Sequence, residues 1–103
     1  MRNSIIKLIN TTLDNFNDCA EFEQNYSGLM NVGKIKLKVG KSEDEYFLKF
    51  IIYSASQKSE ATTMIAYGTK TDIEASLKDT TIVNKLCQIV EKSIEKFQKN
   101  NFA

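Results

Sequence analysis

The chain has 103 residues, of which 42% are hydrophobic and 26% charged, the composition of one ordinary globular domain. It contains no histidine, which excludes Ser-His-Asp and Cys-His nucleophiles and two-histidine metal sites. Its 14 basic and 13 acidic residues leave a formal charge of +1, without the basic excess usual in a nucleic-acid-binding domain.

The first predicted element is a long helix from Ser4 to about Tyr26. Its apolar side chains recur every three or four residues and fall within one sector of a helical wheel. These residues are Ile5, Ile6, Leu8, Ile9, Leu13, Phe16, Cys19, Ala20 and Tyr26. We therefore expect the helix to bury one stripe against the rest of the fold and to end before Ser27-Gly28.

Three strands are predicted after this helix, because the hydrophobic period changes to two. Lys34–Val39 alternates lysine with aliphatic residues, and Tyr46–Tyr53 is dense in aromatic and β-branched residues. Ala61–Tyr67 forms the third strand. The polar segments Gly40–Glu45 and Ser54–Glu60 are short enough to be turns, which predicts a three-stranded antiparallel meander.

Two further helices are predicted after the strands. Thr71 and Glu74 have the spacing of a capping box, which predicts a short helix to Lys78. A second long helix, capped by Asp79, Thr80 or Thr81, continues to about Lys99 with one apolar face. The expected fold is a single α+β domain over residues 1–103. It has two layers, in the order α-β-β-β-α-α, with a three-stranded antiparallel β-meander packed against two long amphipathic helices and one short helix.

Strand parity separates the two faces of the predicted sheet. We expect Val39 opposite Tyr46, with Leu37 opposite Leu48 and Ile35 opposite Phe50, which gives one continuous apolar face. A register slip of two residues would change these partners but keep the faces. Pairing of Ser56 with Ser59 would add Thr62, Met64 and Ala66 to the opposite face.

That opposite face is the candidate binding surface. It combines lysines with aromatic and aliphatic residues, and it places Lys36 opposite Lys49, a like-charge pair that an anionic partner would relieve. The candidate partner-binding residues are Lys34, Lys36, Lys38, Phe47, Lys49, Ile51 and Tyr53. A solvated sheet face, or a sheet with one helix on each side, are the alternatives that would leave no binding surface.

The composition and this face predict a non-catalytic protein. We expect a small adaptor or inhibitor-type module that binds a protein partner, or a second copy of itself, through the Lys/aromatic face. Nucleic-acid binding is an alternative, because the strand lysines could contact phosphates while Phe47 or Tyr53 stacks on bases. The net charge of +1 disfavours it. A small enzyme built on tyrosine, lysine and carboxylate groups is a second alternative.

Several short motifs are weak signals for chemistry. Gly40-Lys41-Ser42 matches the end of a phosphate-binding loop, but the glycine required five residues earlier is Ile35. Glu43-Asp44-Glu45 lacks the spacing of a calcium loop and is typical of a solvated turn. We therefore expect no metal and no cofactor.

The remaining signals concern the two cysteines and the cellular location. Cys19 and Cys87 are far apart in sequence and are expected to be small buried hydrophobes in a reducing compartment, with a disulfide or a reactive thiol as the alternative. The N-terminal apolar stretch is interrupted by Lys7, Asn10 and Asp14, which is unlike a signal peptide. We expect a cytoplasmic protein that does not bind a membrane.

Overall fold

A computed structural model describes residues 1–17, 19–29, 32–54 and 58–102 of the chain. Within them it has an α+β fold of three helices and one four-stranded sheet. In chain order the elements are α1 (Arg2–Asn15), β1 (Phe22–Leu29), β2 (Gly33–Ser42), β3 (Glu45–Ser54), β4 (Ser59–Gly68), α2 (Lys70–Lys78) and α3 (Ile82–Phe102). The sheet is an antiparallel meander in the order β1-β2-β3-β4.

The prediction of one helix from Ser4 to about Tyr26 is wrong in its second half. The helix ends at Asn15, and residues from Phe22 onward form a strand. In that strand Phe22 and Tyr26 are half-buried while Glu23 and Asn25 are exposed, which is a period of two. The predicted three-stranded sheet therefore has four strands, and its first strand lies in the segment assigned to the helix.

The sheet register differs from the predicted register by two residues. Val39 lies opposite Leu48, and Leu37 lies opposite Phe50. The hairpin loop between β2 and β3 is only Glu43-Asp44, with Glu43 in the left-handed region at φ 57°. The tighter turn extends both strands, and because a slip of two preserves parity, the predicted faces are retained.

One face of the sheet, here called the inner face, forms the core with the helices. Six alternating side chains of β2 and β3 on it are 0% exposed: Ile35, Leu37, Val39, Leu48, Phe50 and Ile52. The buried side chains of all three helices join them in the same hydrophobic cluster. Phe16, at the end of α1, is also fully buried there. The helices thus cover the inner face, as amphipathic helices must bury their apolar stripes.

The helix caps also differ from the predicted ones. Thr69 caps α2: its Oγ1 accepts from the Asp72 amide at 3.2 Å, and Asp72 Oδ2 accepts from the Thr69 amide at 2.8 Å. These two hydrogen bonds lower the pKa of Asp72. The predicted cap, Thr71 with Glu74, is wrong by two residues, and Glu74 instead pairs with Lys78 at 2.8 Å.

Asp79 and Thr81, two of the three residues expected to cap α3, are joined by hydrogen bonds just before that helix begins. The Asp79 Oδ1 atom accepts hydrogen bonds from the Thr81 amide at 2.8 Å and from its hydroxyl at 2.7 Å. These bonds, the amide first, lower the pKa of Asp79. They fix the corner between α2 and α3, so that α3 lays its apolar face on the core.

Candidate interaction surface

The second face of the sheet, here called the outer face, carries every predicted binding residue. Residues that lie opposite each other in an antiparallel sheet project to the same side. The described outer-face residues therefore form four rows: Gly40, Phe47, Tyr67; Glu23, Lys38, Lys49, Met64; Asn25, Lys36, Ile51, Thr62; and Ser27, Lys34, Tyr53, Glu60. Apart from Gly40, all of these residues are half-buried or exposed, so none of the described helices covers this face.

A lysine column, consisting of Lys34, Lys36 and Lys38, runs along β2 on the outer face. It is braced by Glu23 of the neighbouring strand, whose carboxylate lies 3.7 Å from Lys36 Nζ and 3.5 Å from Lys38 Nζ. Such partly exposed pairs contribute little to stability but fix the position of the ammonium groups. Sequence reasoning missed Glu23 because it assigned that segment to a helix.

Two outer-face lysines lie over aromatic rings, Lys34 over a ring of the adjacent strand and Lys49 over a ring of its own strand. Lys34 Nζ is 5.1 Å from the centre of the Tyr53 ring, and Lys49 Nζ is 4.7 Å from that of Phe47. Both distances are within the range of a cation–π interaction. The lysine stems thereby cover part of the aromatic surface.

The predicted like-charge pair exists with different partners. The register places Lys38, rather than Lys36, opposite Lys49, and Lys36 lies opposite Ile51. The Lys38 ammonium group forms an ion pair with Glu23, and the Lys49 ammonium group lies over the Phe47 ring. Each of the two positive charges therefore has a favourable interaction of its own. The repulsion that an anionic partner was expected to relieve is therefore partly relieved within the chain.

An apolar half of the outer face, consisting of Phe47, Ile51, Met64 and Tyr67, lies on β3 and β4. Met64 is 49% exposed and Tyr67 is 68% exposed. Met64 and Thr62 were predicted on this face, but Ala66 was predicted wrongly. Leu48 pairs with Ala66 and Lys49 pairs with Met64, so Ile65 is an extra, bulged residue on β4. Because of this bulge, Ala66 packs toward the core and Tyr67 projects from the outer face.

The Phe47 ring has a definite position because of the residue opposite it. A Cβ atom at Gly40 would collide with the end of that ring, so the ring lies directly over the glycine. An aromatic side chain that covers a cross-strand glycine shields the backbone there and holds the ring flat against the sheet. Phe47 therefore has a fixed position on the outer face, in the row of residues nearest the β2–β3 hairpin.

An open groove of about 920 Å³ continues the apolar half toward the β2–β3 hairpin. Its lining includes Met64 and Tyr67 together with the acidic turn residues Glu43, Asp44 and Glu45. The charge along this side of the molecule therefore changes from positive, at the lysine column, to negative, at the β2–β3 hairpin. No group of carboxylates or thiols within the described residues has the arrangement of a metal site.

The two cysteines are both free thiols, so the structure contains no disulfide between them. Cys87 lies on α3, where it is half-buried rather than buried as predicted, and packs against the core. Cys19 lies after α1, with its Sγ atom 3.9 Å from the Asn15 carbonyl oxygen, and it is only half-buried. It does not occupy the helical position that the sequence prediction gave it.

Comparison with known proteins returned no match: no family model, no curated protein and no solved structure resembles the chain significantly. Among the described helices, none is both long enough and apolar enough to span a bilayer.

Proposed function

We propose that this protein is a non-catalytic protein-binding module whose outer face docks an acidic surface of a partner protein. The observation that supports this proposal is an uncovered sheet face on which a lysine column lies beside an apolar half. Exposed apolar residues grouped on a small domain often mark a contact surface, and neighbouring charges select the partner.

The charge of the face indicates which kind of protein would fit it. Its charged side chains in the described residues are four lysines (Lys34, Lys36, Lys38, Lys49) and two glutamates (Glu23, Glu60). A second copy docked face to face would bring the same positive excess, whereas an acidic surface would neutralise it. The proposal therefore favours an acidic partner over self-association through this face.

Nucleic-acid binding is less well supported by the same contacts. Glu23 pairs with two of the lysines and would repel a phosphate as it would a carboxylate, so the aromatic rings are what distinguish the two kinds of partner. The rings of Phe47 and Tyr53, which would have to stack on bases, already have lysine ammonium groups over them. An acidic protein surface can satisfy the ammonium groups without displacing them from the rings.

The test compares two labelled probes of equal charge: a short peptide that alternates Asp or Glu with Leu or Phe, and a single-stranded oligonucleotide. Fluorescence anisotropy at low salt measures binding of each. We expect the peptide to bind, and the double variant Lys36→Glu/Lys38→Glu to weaken it by about tenfold or more, which is about 1.4 kcal/mol.

The matched control reverses two exposed lysines on α3, Lys85→Glu and Lys92→Glu, which changes the net charge equally. This control should bind the peptide like the wild type. The proposal is wrong if the two double variants bind alike, if the peptide does not bind, or if the oligonucleotide binds and the peptide does not. Affinity capture from the native host with the same three proteins would then identify the physiological partner.

A further inference from the structure

The groove beside the β2–β3 hairpin differs in charge from the lysine column. Of its described lining residues none is basic, and four are acidic: Glu43, Asp44, Glu45 and Asp72. None of these four carboxylates forms an ion pair with a lysine or arginine in the described part of the chain. The protein therefore leaves the negative charge of the groove without a counter-charge, whereas two lysines of the column have Glu23 as a partner.

Three aromatic rings also line the groove, and two of them already have a cation over them. Lys49 lies over the Phe47 ring, and Lys41 Nζ lies 5.4 Å from the centre of the Tyr46 ring. The third ring belongs to Tyr67, which is largely exposed, and no lysine of the described residues lies over it. Because the face of an aromatic ring attracts a cation, Tyr67 adds a second feature that favours a positively charged occupant.

The Asp72 carboxylate has a fixed position in this groove. Its Oδ2 atom accepts a hydrogen bond from the Thr69 amide at 2.8 Å. A Cβ atom at Gly68 would collide with the same carboxylate, so the carboxylate lies directly against the residue that follows Tyr67 in β4. An exposed ring and a fixed anion therefore line the groove together where β4 ends.

This combination suits a guanidinium group better than a metal ion or an ammonium group. Among the described residues, no three carboxylates meet closely enough to ligate one metal ion. A guanidinium group is flat, stacks on aromatic faces and carries several N–H donors, so it can contact the Tyr67 ring and pair with a carboxylate at the same time. An ammonium group is a compact and strongly hydrated charge, which is less suited to stacking.

We propose that the partner of the outer face carries an arginine next to its acidic segment, and that this arginine side chain enters the groove. This role of the groove rests on the proposed function, because it takes the acidic segment on the lysine column as given. Continuity of the surface supports one occupant for both places. Phe47 and Met64 belong to the apolar half of the outer face and also to the lining of the groove.

The two charged regions together select the orientation of the partner. The row that contains Lys38 is adjacent to the row that contains Phe47, so a segment bound along β2 reaches the groove as it continues toward the hairpin. A segment that stayed acidic over this whole length would be repelled by the hairpin carboxylates. A segment with the reverse order of charges would be repelled at both places.

The experiment adds one residue to the acidic peptide of the binding test, with both peptide ends capped. Arginine is compared with citrulline, which has nearly the same shape and no charge. Two pairs of peptides carry this residue at the N-terminal or at the C-terminal end, since a segment can lie along β2 in either direction. In one pair we expect the arginine peptide to bind about fivefold more tightly, from a cation–π contact and an exposed ion pair.

The double variant Asp44→Asn/Glu45→Gln tests the groove, because it removes two of its charges with little change in shape. It should reduce the preference for arginine to less than about twofold. Tyr67→Leu, which removes the ring but keeps an apolar side chain, should reduce the preference by about twofold. The matched control, Glu91→Gln/Glu95→Gln, removes two exposed charges from α3 and should keep the wild-type preference.

The double variant Lys36→Glu/Lys38→Glu separates this role of the groove from the proposed function. It should weaken the arginine and citrulline peptides by the same factor and leave the preference unchanged. The groove proposal is overturned, with the proposed function intact, if the two peptides of each pair bind the wild type equally well. It is also overturned if the groove variant and the α3 control change the preference alike. If no peptide binds, both proposals are wrong.

Discussion

Side chains of the same strands alternate between the two faces of the sheet, yet the two faces are covered by different groups. On the inner face, six aliphatic and aromatic side chains of β2 and β3 are fully buried beneath three helices. On the outer face, lysine stems, a glutamate that holds two ammonium groups, and rings beneath lysines cover the sheet only in part. The comparison shows that amphipathic side chains cover a sheet face only in part, whereas packed helices bury it.

Neighbouring isoleucines on β3 provide the sharpest test of this difference. Ile52 is 0% exposed on the inner face, and Ile51 is half-buried on the outer face. Ile52→Ala should lower the free energy of unfolding by about 2–5 kcal/mol, because it leaves a cavity in the packed core. Ile51→Ala should lower it by less than about 1.5 kcal/mol. Urea denaturation measures both, and equal losses would mean that the outer face is also a core.

A second test concerns the ring that covers Gly40. Gly40→Ala should push the end of the Phe47 ring off the sheet, at a cost of about 1 kcal/mol. In the Phe47→Ala background the same change should cost nothing or stabilise slightly, since alanine restricts the unfolded chain more than glycine does. Denaturation of the four proteins gives the coupling energy. Equal costs in both backgrounds would show that the ring does not rest on residue 40.

The smallest expected effect concerns the Glu23 ion pairs. Glu23→Gln should reduce stability by less than about 1 kcal/mol, and the difference should disappear in high salt because both pairs are partly exposed. Glu60→Gln, on the other edge and without an ion pair in the described chain, is the control and should change less. If the lysine column serves an acidic partner, Glu23→Gln should also tighten binding of the acidic peptide. Weaker binding would contradict this expectation.

The outer-face residues could be predicted from sequence because side-chain parity is local. Lys34–Val39 alternates so regularly that its two faces follow from the sequence alone, and the slip of two residues in the observed register did not disturb them. The fourth strand could not be found in the same way. Its segment carries apolar residues at spacings compatible with both a helix and a strand, and only pairing with β2 selects the strand.

The bulge on β4 could not be predicted from the sequence for a different reason. Nothing in the sequence around Ile65 marks an extra residue, yet it reverses parity and exchanges Ala66 for Tyr67 on the outer face. The cap of α2 was ambiguous because Thr69 and Thr71 both precede an acid by three residues. The helix starts immediately after β4 ends, and this selects Thr69.

The amino-acid sequence by itself determined the α+β class, the absence of histidine chemistry, and which β2 and β3 side chains share a face. Each of these follows from composition or from the period of a short segment. The tertiary structure alone decided the strand number, the register and the partners of each lysine. Those features depend on contacts between distant segments, whose free energies no local pattern encodes.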